Sequence, residues 1–170
     1  MSDIISIKHF RMQFGKTEVI KDLSFTVKKG ETFGFLGSNG SGKTTTIRAL
    51  LGIYLPTAGE LLIDGKPYTV DGSVRPGYLP EERGLYKKES VIDVMSYFGQ
   101  LKGMSKEDAR RVSLAFLERV KLSDKATTRL DKLSGGQQQK VQRGITIMDE
   151  PELLILDEPT KRFDPVNRKL

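Results

Sequence analysis

The chain is 170 residues long, with 28 Lys+Arg against 22 Asp+Glu, one His, and neither Cys nor Trp. Apolar residues at 37% beside 29% charged describe a soluble globular chain of single-domain length, neither disordered nor membrane-embedded. The absence of cysteine excludes disulfides, thiolate metal sites and thiol catalysis, and a single histidine, His9, excludes multi-His metal centres. The net charge of +6 favours phosphate, nucleic acid or an anionic membrane surface, although a lysine-coated solvated face accounts for the same number. The longest nearly apolar stretch, Ala49 to Leu55, is broken by Gly52 and falls far short of the roughly 20 residues of a spanning helix. No signal-like apolar core opens the chain.

Ile5 and Ile7 alternate with polar neighbours, as do Leu23, Phe25 and Val27, so the N-terminal region is expected as strands closed by a Lys28-Lys29-Gly30 turn. Thr32 to Leu36 is a short apolar run expected as a further strand, followed by a glycine-rich loop. A helix is expected from Lys43 to about Leu51, stopped by Gly52 and Pro56. Gly59 to Gly65 and Gly77 to Pro80 read as short strands. The middle is helical over Ser90 to Leu101 and Ser105 to Val120. There Ser105 and Asp108 have capping-box spacing, and Ala109, Val112, Phe116 and Val120 form a stripe at helical period. A helix carrying Val141, Ile145 and Met148 on one face follows, then a four-residue apolar strand, Leu153 to Leu156. This order places a small helical subdomain at 83–132 within one domain whose other parts are 1–82 and 133–170. There is no internal repeat.

Gly37-Ser38-Asn39-Gly40-Ser41-Gly42-Lys43-Thr44 fits G-x-x-x-x-G-K-[ST] between an expected strand and an expected helix. Each residue type has a chemical reason. Glycines let the backbone turn at positive φ and bring successive N–H groups to phosphate oxygens. The helix beginning near Lys43 adds unsatisfied N–H groups and its positive dipole end. Lys43 supplies a full charge for the outer phosphates, and the Thr44 hydroxyl is placed to ligate Mg²⁺. A chance match is expected in only about 0.5% of chains of this length. The pattern therefore argues for nucleotide binding.

Asp157 and Glu158 end the strand at 153–156, and ligands bind beyond the carboxyl ends of strands in open α/β sheets. In that setting Asp157 would hold Mg²⁺ through water and Glu158 would accept a proton from the attacking water. Alone, such a pair is more often a surface acid pair; beside the phosphate loop the functional reading is preferred.

Leu133-Ser134-Gly135-Gly136-Gln137 precedes the Val141 helix and lies upstream of Asp157. With this pentapeptide, the phosphate loop and the acidic strand in that order, the sequence resembles the ATP-binding subunit of an ABC transporter, of a bacterial export type similar to sodium- or drug-extrusion ATPases. The resemblance covers essentially the whole chain. It implies an α/β fold: a P-loop NTPase (RecA-like) core, an N-terminal antiparallel β subdomain, and an inserted helical subdomain. It also implies ATP and Mg²⁺ as cofactors, a second ATP-binding subunit and a transmembrane permease as partners, no direct nucleic acid, and a cytoplasmic location on the inner face of the plasma membrane. Ser134, Gly135, Gly136 and Gln137 would cap the ATP held by the other subunit of a head-to-tail dimer. Gly37 to Thr44, with Thr45, would hold the nucleotide, and Phe14 would stack on adenine. Glu81 stands where most members carry a Gln that contacts Mg²⁺ and the attacking water; a carboxylate there can ligate the metal. The stretch from Glu82 to Lys88 would face the permease.

Three departures from the family pattern stand out. Lys161-Arg162-Phe163-Asp164 replaces the usual Ser-Gly-Leu-Asp, and Arg143-Gly144 interrupts a helix that is usually apolar and strongly helix-forming there. The family's switch histidine, expected some thirty residues after the acidic strand, is missing, so the chain is expected to be C-terminally truncated, with Asp164-Pro165 starting its last helix and an exposed sheet edge. His9 is expected in a surface or core role. Two other classes remain open: a soluble ABC ATPase acting on nucleic acid or ribosomes, and a fragment that binds ATP without turnover.

Overall fold

A computed structural model describes residues 2–70, 72, 74–81 and 84–159. The described chain falls into two compact units, residues 1–75 and 76–170, and each is taken by itself.

The first unit is built on three antiparallel strands, β1 (Asp3–Phe14), β2 (Thr17–Lys28) and β3 (Ala58–Ile63), in the order β2-β1-β3. Ile5 faces Val27 on one side and Ile63 on the other, and Ile7 faces Phe25 and Leu61. The expected alternation holds only to Ile7. His9 takes a positive φ of 48°, the register shifts on both sides of β1 at this point, and the buried phase moves to Phe10 and Met12. An extra residue in one strand does this by sending every later side chain to the opposite face. Gly59 sits against the bulge, where a Cβ would strike the His9 carbonyl. His9 itself is exposed, with its N–H donating to Ser24 Oγ at 2.8 Å and its ring 3.3 Å from Asp22, which is a surface role.

One expected strand is not formed. Among the described residues no ladder includes 31–38; Phe33 stacks on Phe25 at 5.1 Å and Phe35 lies 5.4 Å from the same ring. Leu36 is 91% exposed. An apolar run becomes a strand only when a neighbour accepts its backbone groups, and here ring contacts hold the segment instead. After the glycine loop, α1 (Lys43–Leu50) buries Thr46, Ala49 and Leu50.

The second unit pairs β4 (Pro76–Leu79) and β5 (Leu153–Leu156) in parallel, Tyr78 beside Ile155. Between them run α2 (Val91–Leu101), α3 (Lys106–Arg119) and α4 (Gly135–Ile147). Their core gathers Val91, Val94, Met95, Leu117, Leu130, Val141 and Ile145. The expected α3 stripe is offset. Its fully buried line is Ala109, Ser113 and Leu117, with Phe116 and Val120 half-buried beside it. Ser113 is tolerated inside because its hydroxyl donates to the Ala109 carbonyl at 2.6 Å. Ser90 and Ser105 cap α2 and α3 by accepting from Asp93 and Asp108 N–H. At α3 the Ser105 hydroxyl also donates to the Asp108 carboxylate at 2.7 Å. Among the described residues no helix is long and apolar enough to cross a membrane.

Candidate nucleotide site

In the loop Gly37–Thr44 the backbone explains the composition. Gly40 and Gly42 have φ of 80° and 92°, left-handed conformations that cost an L-residue roughly 1–2 kcal/mol. Gly42 is the N-cap of α1, and no side chain caps that end. Its missing Cβ is required twice over, since one built there would stand 3.0 Å from Ile20. Ser41 N–H donates to the Ser38 carbonyl at 3.2 Å, and Thr46 N–H to the Gly42 carbonyl at 2.8 Å. The helix therefore starts from a closed turn, with the N–H groups of Lys43, Thr44 and Thr45 falling within the first turn, before the helical ladder begins. Lys43 Nζ donates to the Gly37 carbonyl at 2.7 Å and to Ser38 at 3.1 Å, so the ammonium lies on the rim of the loop. Gly37, Ser38, Asn39, Gly40 and Ser41 are exposed, and Thr44 and Thr45 half-buried.

Phe14, the expected adenine platform, ends β1 at 45% exposure. Tyr54, which the sequence reading did not single out, meets it edge-on, with ring centroids 5.3 Å apart at 80°.

In the second unit, the signature segment forms a complete capping box. Ser134 Oγ accepts from Gln137 N–H at 3.3 Å, and Gln137 Oε1 accepts from Ser134 N–H at 2.8 Å. Gly135 and Gly136 are exposed, and a Cβ on Gly136 would touch nothing within 4 Å. Glycine at 136 is thus not demanded by packing within the unit.

Asp157, 3% exposed, follows β5 and its N–H donates to the Leu79 carbonyl at 2.9 Å. Glu158 is half-buried at a left-handed φ of 51°. Two α4 side chains hold the next residue: Gln139 Nε2 and Arg143 Nη2 both donate to the Pro159 carbonyl at 3.0 Å. Arg143, a departure from the family pattern, therefore ties α4 to the turn behind Glu158, and burial lowers the pKa of its guanidinium. Gly144 is explained as well. The Phe116 ring lies where its Cβ would be, with Met95 Cε at 2.9 Å from that position, so α3 seats on α4 at a residue with no side chain. Glu81 is half-buried after β4.

Among the described residues no cluster of three His, Cys, Asp or Glu side chains is arranged to hold a metal. That does not argue against Mg²⁺, which typically takes one or two protein oxygens and completes its shell with phosphates and water. A buried carboxylate (Asp157) and a hydroxyl in the first turn of a helix (Thr44) are donors of that kind. Lys161-Arg162-Phe163-Asp164, Pro165, and the Glu82-Arg83 part of the expected permease-facing stretch lie outside the described residues.

Comparison with known proteins identifies the family. Residues 20–161 match a family model described as ABC transporter. An uncharacterized ABC transporter ATP-binding protein of Methanocaldococcus jannaschii is 41% identical over 170 residues, covering 100% of this chain and 62% of the relative. A Nod factor export ATP-binding protein I of Cupriavidus pinatubonensis is 36% identical over 173 residues, covering 100% of this chain and 53% of its own length. A solved structure of the ATP binding subunit of an ABC transporter superposes with a TM-score of 0.82 at 28% identity, covering 96% of this chain and 69% of that one. The chain thus spans about 53–62% of the length of these two curated relatives. It belongs to the ABC transporter family, among the ATP-binding subunits.

Proposed function

We propose that this chain binds Mg·ATP on the loop at 37–44 and hydrolyses it, within an ABC system that drives export through a separate membrane permease. The observation that carries the reading is the start of α1: left-handed Gly40 and Gly42, no side-chain cap, and the Lys43 ammonium on the loop rim. That is an anion site built from backbone amides, a helix dipole and one full charge. Thr44 and Asp157 would hold Mg²⁺, with Glu81 as a further oxygen donor, and the metal supplies charge neutralisation on the phosphates. Glu158 would take the proton of the attacking water. Phe14 would carry adenine.

The signature end of α4 supports a shared site. The Ser134 hydroxyl accepts in its capping box, and a hydroxyl that accepts still has its own proton to give. With the amides of exposed Gly135 and Gly136, it would make a second anion site. One nucleotide needs only one γ-phosphate site per chain, so the second is assigned to ATP on a partner subunit. The export direction rests on the named relative and on Glu81, the resemblance to export-type ATPases noted in the sequence.

The test is steady-state ATP hydrolysis as a function of protein concentration, with Glu158→Gln beside the wild type. Specific activity is expected to rise with concentration. The variant is expected to lose about 10²–10⁴-fold in kcat while still binding nucleotide. Concentration-independent turnover contradicts the shared site, and an active Glu158→Gln contradicts the assigned base.

A further inference from the structure

The face of Phe14 proposed to take adenine is only as well placed as the ring itself, and a half-exposed ring at a strand end would rotate unless something stopped it. Tyr54 lies edge-on to it, and Tyr54 is itself held from several sides. Its hydroxyl accepts from Arg48 Nη1 at 3.1 Å. The Arg48 guanidinium lies 5.9 Å from its ring centroid, within range of a cation–π attraction. Its backbone N–H donates to the Arg48 carbonyl at 3.3 Å.

The loop bearing Tyr54 is also laced to the strand bearing Phe14. Thr57 N–H donates to the Arg11 carbonyl at 3.0 Å, and Gln13 N–H donates to Thr57 Oγ1 at 3.0 Å. Arg48 sits in the last turn of α1, about 7.5 Å along the helix axis from Lys43. One rigid helix therefore carries the phosphate-binding residues at one end and the anchor of Tyr54 at the other.

We propose that Tyr54, anchored by Arg48, is a positioning residue that fixes the plane of the Phe14 ring and thereby sets the affinity for the nucleobase, separately from the grip on the phosphates. This rests on Phe14 being the adenine platform. Arg48 and Tyr54 touch no phosphate in this account; they act through Phe14.

The experiment titrates Mg·ATP and Mg·tripolyphosphate, which has no base, against the wild-type protein, Phe14→Ala, Tyr54→Ala and Tyr54→Phe. Tyr54→Ala is expected to weaken ATP about three- to tenfold, the range of an edge-to-face aromatic pair, and to leave tripolyphosphate unchanged. Tyr54→Phe keeps the ring and the cation–π contact and is expected to restore ATP binding. If Phe14→Ala weakens ATP and Tyr54→Ala does not, the brace is wrong and the platform stands. If Phe14→Ala has no effect, the platform itself is wrong. Equal loss of ATP and tripolyphosphate in Tyr54→Ala would reduce Tyr54 to a structural residue and overturn the proposal.

Discussion

Two helix N-termini carry the proposed chemistry, and they are built in opposite ways. At α1 the N-cap is Gly42 in a left-handed conformation with no side-chain cap; at α4 it is Ser134, extended and closed by a reciprocal capping box with Gln137. An uncapped terminus offers its first-turn amides to a ligand, at a cost in helix stability that the ligand offsets on binding. A capped terminus spends amides on its own side chains and keeps its shape without a ligand. The contrast suits a loop that grips the triphosphate of its own nucleotide and a rigid edge that is offered to another.

The contrast can be attacked in order of expected effect. Gly144→Leu would drive a side chain into Phe116 and Met95 and should destabilise the second unit by about 2–3 kcal/mol, the upper part of the usual overpacking range, read from urea unfolding. Unchanged stability would mean that α3 does not seat on α4 as described. Gly42→Ala forces an alanine into φ 92° beside Ile20. It should cost about 1–2 kcal/mol and weaken ATP binding, because the loop itself is bent. Ser134→Ala removes the capping oxygen and should cost about 1 kcal/mol. In that variant ATP affinity of the monomer stays at the wild-type level while turnover falls, so a loss of monomer affinity would erase the distinction between the two termini.

The smallest effect belongs to Asp108 at the start of α3. A hydrogen bond from Arg111, and then one from Ser105, holds its carboxyl below the ordinary value of 3.8. A lowered folded-state pKa stabilises above the unfolded value and is lost as the pH falls through the folded one. Asp108→Asn should therefore be slightly less stable than wild type at neutral pH, and the gap should close as the pH drops below 3.8. A gap that persists in acid would assign the effect to capping geometry instead of charge.

What the sequence made legible follows from how local each signal is. The limits of β5 and the start of α1 are both written in adjacent residues, an apolar run before two acids and glycines before a lysine. The Ser134–Gln137 box is equally local, a Ser-x-x-Gln spacing like the Ser-x-x-Asp of Ser105 and Asp108. Other features depend on partners far along the chain. Thr32 to Leu36 has a strand-like composition, but no ladder claims it among the described residues. Arg143 and Gly144 look like faults in a helix until Pro159 and Phe116 are seen beside them. Lys102 at the end of α2 likewise binds Asp149 and the Thr146 carbonyl, more than forty residues on. The contact between Phe14 and Tyr54 joins residues forty apart, which no spacing rule supplies.

The central claim is that the amides and ammonium of 37–44 hold a triphosphate. The most direct measurement is calorimetric titration of Mg·tripolyphosphate and Mg·ATP into the wild-type protein and Lys43→Ala. Losing a charge-assisted contact to phosphate should weaken both ligands by about tenfold or more, with the fold retained by circular dichroism. Equal affinities for the two proteins would contradict the account at its base.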